Sequence, residues 1–590
     1  MGKKLKRVVA VGAAATLGLA LAACGGDSND DGGSGSGNNG TSEPGKAGGQ
    51  LNYKQHFLFE AADPQRIYYG VQLANWRRVV YRGLTAFPMS EDAKVSNTPA
   101  ADLATDTGTM EDGGKVWKFT LKDGVKWEDG SDITCEDVQY GASRPFANDV
   151  ITGGPNYTLS YIDVPQNPDG TSTYPGPYKA TPEQQKQFED AVSCDGKTVT
   201  FRFNKPWVDF NAAIAGLMMV DPYKKSADKG DKSKWNVLSN GPYKFQGGKF
   251  DQSKGGTLVR NDQYDPATDD PEQLRLALPD QINWQVDDSD TAGELFNDQL
   301  IEDSPDFQNA ITTARLVPTQ LLKVQSGEPA SRYTNVVSPF TDYLVVNAKT
   351  VTDPKVRRAI GLATDVNGYV KAIGGDKVAE GADSIVNPGV TGYKTNPAWA
   401  DRNLDGDVAA AQALLKEAGV NGKFKLKVAY QKSPTMDKAF SILQETWNKA
   451  GFDVTLDGQG ATYYDILSSP DKDIDVAWAG WGADWPSVMT VIPPLFDSRP
   501  NISKTSCNND YGCYSSDAFN KVIDEAANAA TLDEQIAKLQ EADGILGEDA
   551  AYLPLVNEKF NWMHGSKVTG FTTTAASASY PELGLIGVKQ

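Results

Sequence analysis

Late in the chain, three tryptophans and one aspartate crowd into a short run: Trp478, Trp481, Asp484 and Trp485, within Trp478-Ala479-Gly480-Trp481-Gly482-Ala483-Asp484-Trp485-Pro486. Indoles offer large rigid apolar faces. A carboxylate held among them in a closed, dry site pairs with an ammonium far more strongly than it would in water. The group suits a molecule with an amine end and apolar side chains. In the plainer alternative the indoles are core and Asp484 is a solvated loop cap. The local sequence does not separate the two.

Catalytic patterns are absent where they could have been decisive. The two histidines, His56 and His564, belong to no His-Glu-x-x-His helix, which argues against a histidine-dependent hydrolase or a His-rich metal site. Gly196-Lys197-Thr198 looks like the end of a phosphate loop, but Ala191 stands where the loop's first glycine is required. Asp401-x-Asn403-x-Asp405-Gly406 resembles the start of a calcium loop, with Gln412 in place of the acidic residue at position 12. It reads better as a polar turn. No catalytic residue, metal or cofactor is expected. A net charge of −20 argues against nucleic-acid binding, which depends on basic surface.

The elements that must hold the Trp-Asp run are legible around it. Residues 424–430 alternate as a strand, 436–450 form a helix with Phe440, Leu443, Trp447 and Ala450 inward, and 452–456 form a second strand. Strand, helix and strand with short links predict a parallel βαβ unit. A third apolar strand, Ile474 to Ala479, leads directly into the Trp-Asp run, and ligands of open α/β sheets bind beyond the carboxyl ends of strands. Helices are predicted after the caps Asp353 and Asp407, and over about 516–528 and 532–547. Short strands are predicted at Tyr343 to Asn347 and Leu553 to Val556. Earlier, residues 116–127 alternate around Asp123-Gly124, a hairpin signal, and Asp129-Gly130 makes a second turn. Thr134 with Asp137 predicts a capped helix at about 135–144, and residues 198–203 another strand. Residues 150–185, rich in Gly, Pro, Tyr and Asn, read as a long surface insertion with no assigned role.

The chain resembles the solute-binding proteins of peptide and nickel ABC importers, the oligopeptide- and dipeptide-binding type, from about residue 48 to 570. The most specific stretch is Phe119-x-Leu121-x-x-Gly124-Val125-Lys126-Trp127-x-Asp129-Gly130, followed by Thr134-x-x-Asp137-Val138. Ala62-Asp63-Pro64, Val80-Tyr81-Arg82-Gly83-Leu84, Gly241-Pro242-Tyr243-Lys244-Phe245, Arg260-Asn261, Asp353-Pro354-x-Val356-Arg357, Leu414-Leu415-x-x-Ala418-Gly419 and Leu553-Pro554-Leu555 follow the family's order. Glu128, Cys135 and Asn240 depart from it, standing where the family often has His, Ala and Thr. The resemblance implies an α/β, two-lobed periplasmic-binding-protein-like fold (class II) with an extra hairpin-containing domain, the ligand enclosed between lobes. It also implies that Asp484, the one role carried over, pairs with a peptide's N-terminal ammonium, and that backbone hydrogen bonds hold much of the peptide.

The ends and totals add location. Lys3, Lys4, Lys6 and Arg7 precede Val8 to Ala23, an uncharged run of about 16 residues, short of the about 20 a spanning helix needs. With small residues at its end this describes a secretory signal, and Leu21-Ala22-Ala23-Cys24 resembles the bacterial lipobox, which implies a lipid anchor on Cys24. Residues 25–49 hold no large apolar residue and read as a flexible linker reaching roughly 25–30 Å. Hydrophobic content of 39% with 12 Trp argues for a folded body beyond it, too long for one core. Four cysteines remain outside the cell, which points to two disulfides; of three possible pairings, Cys507 with Cys513 and Cys135 with Cys194 are expected.

The expected organisation is a signal peptide at 1–23, lipidated Cys and linker at 24–49, lobe I at 50–88, its extra domain at 89–220, lobe I again at 221–345, lobe II at 346–550 and a last part of lobe I at 551–590. The expected function is a monomeric binding lipoprotein on the outer face of the cytoplasmic membrane. It would capture small peptides and deliver them to an ABC permease and its ATPase subunits. An oligosaccharide binder of the same fold, a peptide-signal sensor and a surface hydrolase are the competing readings.

Overall fold

The computed structural model describes residues 45–167 and 171–590; the expected signal peptide, Cys24 and the linker up to residue 44 lie outside the described residues. Three larger sheets organise the described chain. A five-stranded sheet runs in the order Ala310–Thr312, Gln50–Gln55, Gln281–Val286, Gly255–Arg260, Tyr243–Phe245. A four-stranded sheet runs Thr109–Glu111, Val116–Thr120, Thr198–Arg202, Val192–Asp195. A six-stranded sheet runs Ala379–Gly381, Tyr552–Met563, Tyr333–Val346, Val476–Gly482, Phe424–Gln431, Phe452–Gln459. Among the described residues, no helix is long and apolar enough to cross a membrane.

The βαβ unit forms as its periodicity predicts. Phe424–Gln431 and Phe452–Gln459 pair in parallel over eight positions, from Phe424↔Phe452 to Gln431↔Gln459. The helix between them, Pro434–Ala450, is capped by Ser433, buries Phe440, Leu443, Trp447 and Ala450, and stops at Gly451 with φ +109°. That backbone favours glycine.

Two short predicted strands are the ends of long ones. Tyr333–Val346 and Tyr552–Met563 pair antiparallel from Tyr333↔Met563 to Val345↔Tyr552, with register shifts near Val337 and Asp342. Polar residues such as Asn335, Thr341, Asn557 and Asn561 interrupt the apolar pattern, which hides the strands' length from a periodicity reading.

The hairpin expected at Asp123-Gly124 is not formed. Val116–Thr120 pairs instead with Thr198–Arg202, Val116↔Arg202 to Thr120↔Thr198, and with Thr109–Glu111. The partner at 198–202 matches its alternation and brings Phe201 against Phe119, and Phe210 of the helix Phe210–Gly216 packs on the same ring. The tight turn lies one step later, over Asp129-Gly130, where Trp127 N–H donates to Ser131 O at 2.9 Å and Ile133 N–H to Val125 O at 3.0 Å. Gly196 and Lys197, set aside as a phosphate loop, make the turn of the Val192–Asp195/Thr198–Arg202 hairpin, with Gly196 at φ +58°. The helix Cys135–Ser143 opens with the Thr134/Asp137 capping box.

The segment 150–185 is more than a surface insertion. It folds the helix Tyr157–Tyr161 and the start of Pro182–Ala191, and it buries Ile151, Tyr161, Ile162, Val164 and Tyr174. Two of its tyrosines, Tyr161 and Tyr174, are core, Tyr174 stacking on Phe188 at 4.7 Å; Gly and Pro richness marked turns, not exposure. Disulfides join Cys135 to Cys194 and Cys507 to Cys513. The largest apolar cluster draws on residues from Leu51 to Ile311 and from Phe560 to Val588; a second spans Tyr343 to Val556.

Candidate functional site

The Val476–Gly482 strand sits between two neighbours but is paired unequally. On one side it matches Tyr333–Val346 along seven positions, Phe340↔Gly482 to Val346↔Val476. On the other it meets Phe424–Gln431 only at Val428↔Val476 and Ala429↔Ala477. Beyond Ala477, one backbone edge therefore has no strand partner among the described residues. Two glycines fall in this stretch. A Cβ on Gly480 would lie 2.9 Å from Asp342 Oδ1, and one on Gly482 would lie 2.7 Å from Phe340 Cε1. Side chains from the neighbouring strand fill the space that larger residues would need.

The run that follows is fixed by Thr490. Trp481 donates its indole N–H to Thr490 O at 2.9 Å, and Asp484 N–H donates to Thr490 Oγ1 at 3.2 Å. Trp481 is half-buried. Trp485 is 3% exposed and belongs to the first apolar cluster, although its strand belongs to the second. Its ring lies 4.9 Å from Tyr157 and its N–H donates to Asp209 Oδ2 at 2.8 Å. Trp485 is thus a core side chain that ties the two clusters together, while Trp478 and Trp481 keep solvent contact.

Asp484 keeps an edge in solvent but lies deep in the molecule. It accepts a hydrogen bond from the hydroxyl of Tyr157, and the hydroxyl of Tyr68 lies near enough to favour its ionised form. Burial lifts its pKa, and the two hydroxyls pull it partly back. No lysine or arginine pairs with it among the described residues. Tyr68 and its neighbour Tyr69 are 45% and 48% exposed. The site is thus a desolvated carboxylate with neutral donors, exposed aromatic surface beside it and an open strand edge leading to it. Chemically it offers a place for one cation and for a chain that hydrogen-bonds in register.

Spacing in the sequence singles out Asp484 and the three indoles; Tyr157, Tyr68 and Asp209, which the structure brings beside them, have no such signal. Tyr157 is 327 positions from Asp484 in the chain. Only the Tyr and Asn content of 150–185 was available as a signal, and it carried no spacing.

Comparisons decide what kind of protein carries this geometry. Residues 98–503 match the family model for bacterial extracellular solute-binding proteins, family 5. The chain belongs to this family. It is 24% identical over 514 residues to the oligopeptide-binding protein OppA of Bacillus subtilis (strain 168), covering 84% of this chain and 85% of that one. It is 24% identical over 504 residues to the glutathione-binding protein GsiB of Salmonella typhi, covering 83% and 86%. Among solved structures, the clavulanic acid biosynthesis oligopeptide binding protein 2 superposes with a TM-score of 0.81 at 24% identity, covering 93% of this chain and 97% of that one. The fold is the family's two-lobed α/β architecture with an extra hairpin-containing domain.

Proposed function

We propose that the chain is the substrate-binding component of an ABC importer and captures oligopeptides. Asp484 carries this reading: a desolvated carboxylate with no lysine or arginine paired to it among the described residues, just beyond a strand that has no strand partner on one side after Ala477, where Tyr463 caps the Trp478 carbonyl and the edge from Ala479 to Gly482 is left. A peptide laid on that edge adds a strand, its backbone bonds giving affinity for any sequence, and its ammonium reaches Asp484. The names of relatives agree with the ligand class, oligopeptide for one and glutathione for another.

In this reading, residues 50–88, 221–345 and 551–590 form lobe I, 89–220 its extra domain and 346–550 lobe II. The lobes close on the peptide, with Trp485 docking against Asp209 and Tyr157, and the closed form docks on the permease. No chemical step takes place. Lipid on Cys24 holds a monomer at the outer face of the cytoplasmic membrane.

Mass spectrometry of small molecules that copurify with the protein tests the ligand class. Peptides are expected. Recovery of sugars alone, or of a metal chelate, would overturn the reading.

A further inference from the structure

A second polar locus lies back along the same strand. Asp342 stands opposite Gly480 in the sheet and is 5% exposed. Its Oδ1 occupies the space over Gly480 and has no hydrogen-bond partner among the described residues. The indole N–H of Trp478, two residues before Gly480 on the same strand face, is likewise buried and unpartnered. It lies near enough to favour the ionised form of Asp342 without closing a hydrogen bond. Glu558 lies close by, paired with Arg315 at 2.7 Å; the same guanidinium acts on Asp342 from a distance and partly offsets Glu558, but no cation pairs with Asp342 directly among the described residues. Tyr464, 39% exposed, feels both carboxylates and borders the group. Burial first, then the charge of Glu558, lifts the Asp342 carboxyl well above its ordinary range.

A buried carboxylate oxygen without a partner calls for an explanation. The position of this one supplies it. From Gly480 to Asp484 a fully extended chain would cover about 13 Å, at roughly 3.3 Å per residue; the strand ends at Gly482 and the chain bends at Asp484, which shortens that span. A peptide whose ammonium sits at Asp484 and which runs back along the open edge brings its third or fourth residue abreast of Asp342. Gly480 has no side chain to block the approach.

We propose that Asp342, with Trp478 and Glu558 around it, forms a side-chain subsite that selects peptides with a cationic side chain (lysine, arginine or a shorter diamino acid) at the third or fourth position. This rests on the peptide reading of Asp484. The ligand's cation takes the place of the missing partner and drives the proton off Asp342.

The experiment is calorimetry on the full chain with tetrapeptides of alanine carrying lysine or norleucine at each position in turn. The wild-type protein is expected to prefer lysine at least tenfold at position three or four and nowhere else. Titration in buffers of different ionisation enthalpy should show a proton released with that lysine peptide and none with its norleucine counterpart. Asp342→Asn should abolish the preference while binding norleucine peptides within threefold of wild type. Asp484→Asn should weaken all peptides alike and keep the lysine preference. If lysine confers no advantage at any position while Asp484→Asn still weakens binding, the subsite is wrong and the peptide reading stands. A preference that survives in Asp342→Asn also sinks the subsite. If no peptide binds the wild-type protein, both readings fall together. The lysine-to-norleucine ratio and the proton count need only the wild-type chain, so they decide the matter even if Asp342→Asn does not fold.

Discussion

Asp484→Asn isolates the charge of the candidate site with almost no change of shape. In the structure, Tyr157 donates to this carboxylate, the Tyr68 hydroxyl lies nearby, and no cation accompanies it among the described residues. A peptide ammonium would be its first counter-charge. A hydrogen bond to a charged group contributes about 1.5–3 kcal/mol, and truncating one member of a desolvated charge pair costs about 2–5 kcal/mol. Asp484 keeps some contact with solvent, and an asparagine oxygen still accepts from one tyrosine. Both facts place the loss toward the lower part of that range. A loss of about 2–3 kcal/mol weakens binding roughly 30- to 150-fold. The assay is calorimetry with a tetrapeptide and its N-acetylated form against both proteins. Wild type should prefer the free amine by about that factor, and the variant should bind the two forms nearly alike. Equal losses for the two forms would show that Asp484 supports the fold and not the ammonium. An unchanged variant would remove the peptide-amine reading altogether.

Four further outcomes follow. Because burial raises the Asp484 pKa, affinity for free-amine peptides should fall on acidification at a higher pH than a solvated aspartate would give; Tyr157→Phe, which removes a donor that lowers that pKa, should move the midpoint of the affinity-versus-pH curve further up. Asp543, held by Tyr552 at 2.7 Å and Ser384 at 3.1 Å, is pushed up to about 6 by burial. Between about pH 4 and 6 the unfolded chain has lost that proton and the folded chain keeps it. Stability should therefore fall as pH rises across this window, by about 2–3 kcal/mol, and denaturant titrations of Asp543→Asn should show that slope removed. The Cys135–Cys194 bridge closes a loop with a sequence separation of 59, against 6 for Cys507–Cys513. By the chain-entropy rule the first contributes about 4 kcal/mol and the second about 2, so paired serine variants should differ in that order in chemical denaturation; a reversed order would contradict the loop argument. Cys24→Ala should be found in the medium on fractionation, with peptide affinity unchanged; retention at the membrane would end the anchor reading.

Local signals were strong wherever one element determined itself. The helix Pro434–Ala450 could be read from its apolar period and Gly451, and the parallel strands beside it followed from the short links. The same logic placed Asp484 at a strand's carboxyl end, the position where an α/β sheet offers a site. It failed where two segments competed for one partner. Val116–Thr120 had an adjacent candidate across Asp123-Gly124, yet it pairs with Thr198–Arg202, about eighty residues away, because that strand brings Phe201 to Phe119. Turn chemistry marks where a chain can reverse, not which strand it reverses against.

The site shows the same limit in sharper form. Its charge, Asp484, lies in the run that drew attention, but the groups that set its chemistry come from elsewhere: Tyr68, Tyr157 from a segment read as insertion, and Asp209, which holds Trp485. None has a spacing relation to Asp484, so no periodicity exposes them. Their common feature is three-dimensional: each comes from the part of the chain that builds the first apolar cluster, while Asp484 follows a strand of the second. For Trp485 the plainer reading of the sequence is the observed one, and it does not make Asp484 a solvated cap. The indole is core, 3% exposed, and because it is core in the other cluster it carries Asp484 across to the two tyrosines. The packing that would have made the Trp-rich run unremarkable is the packing that positions its carboxylate.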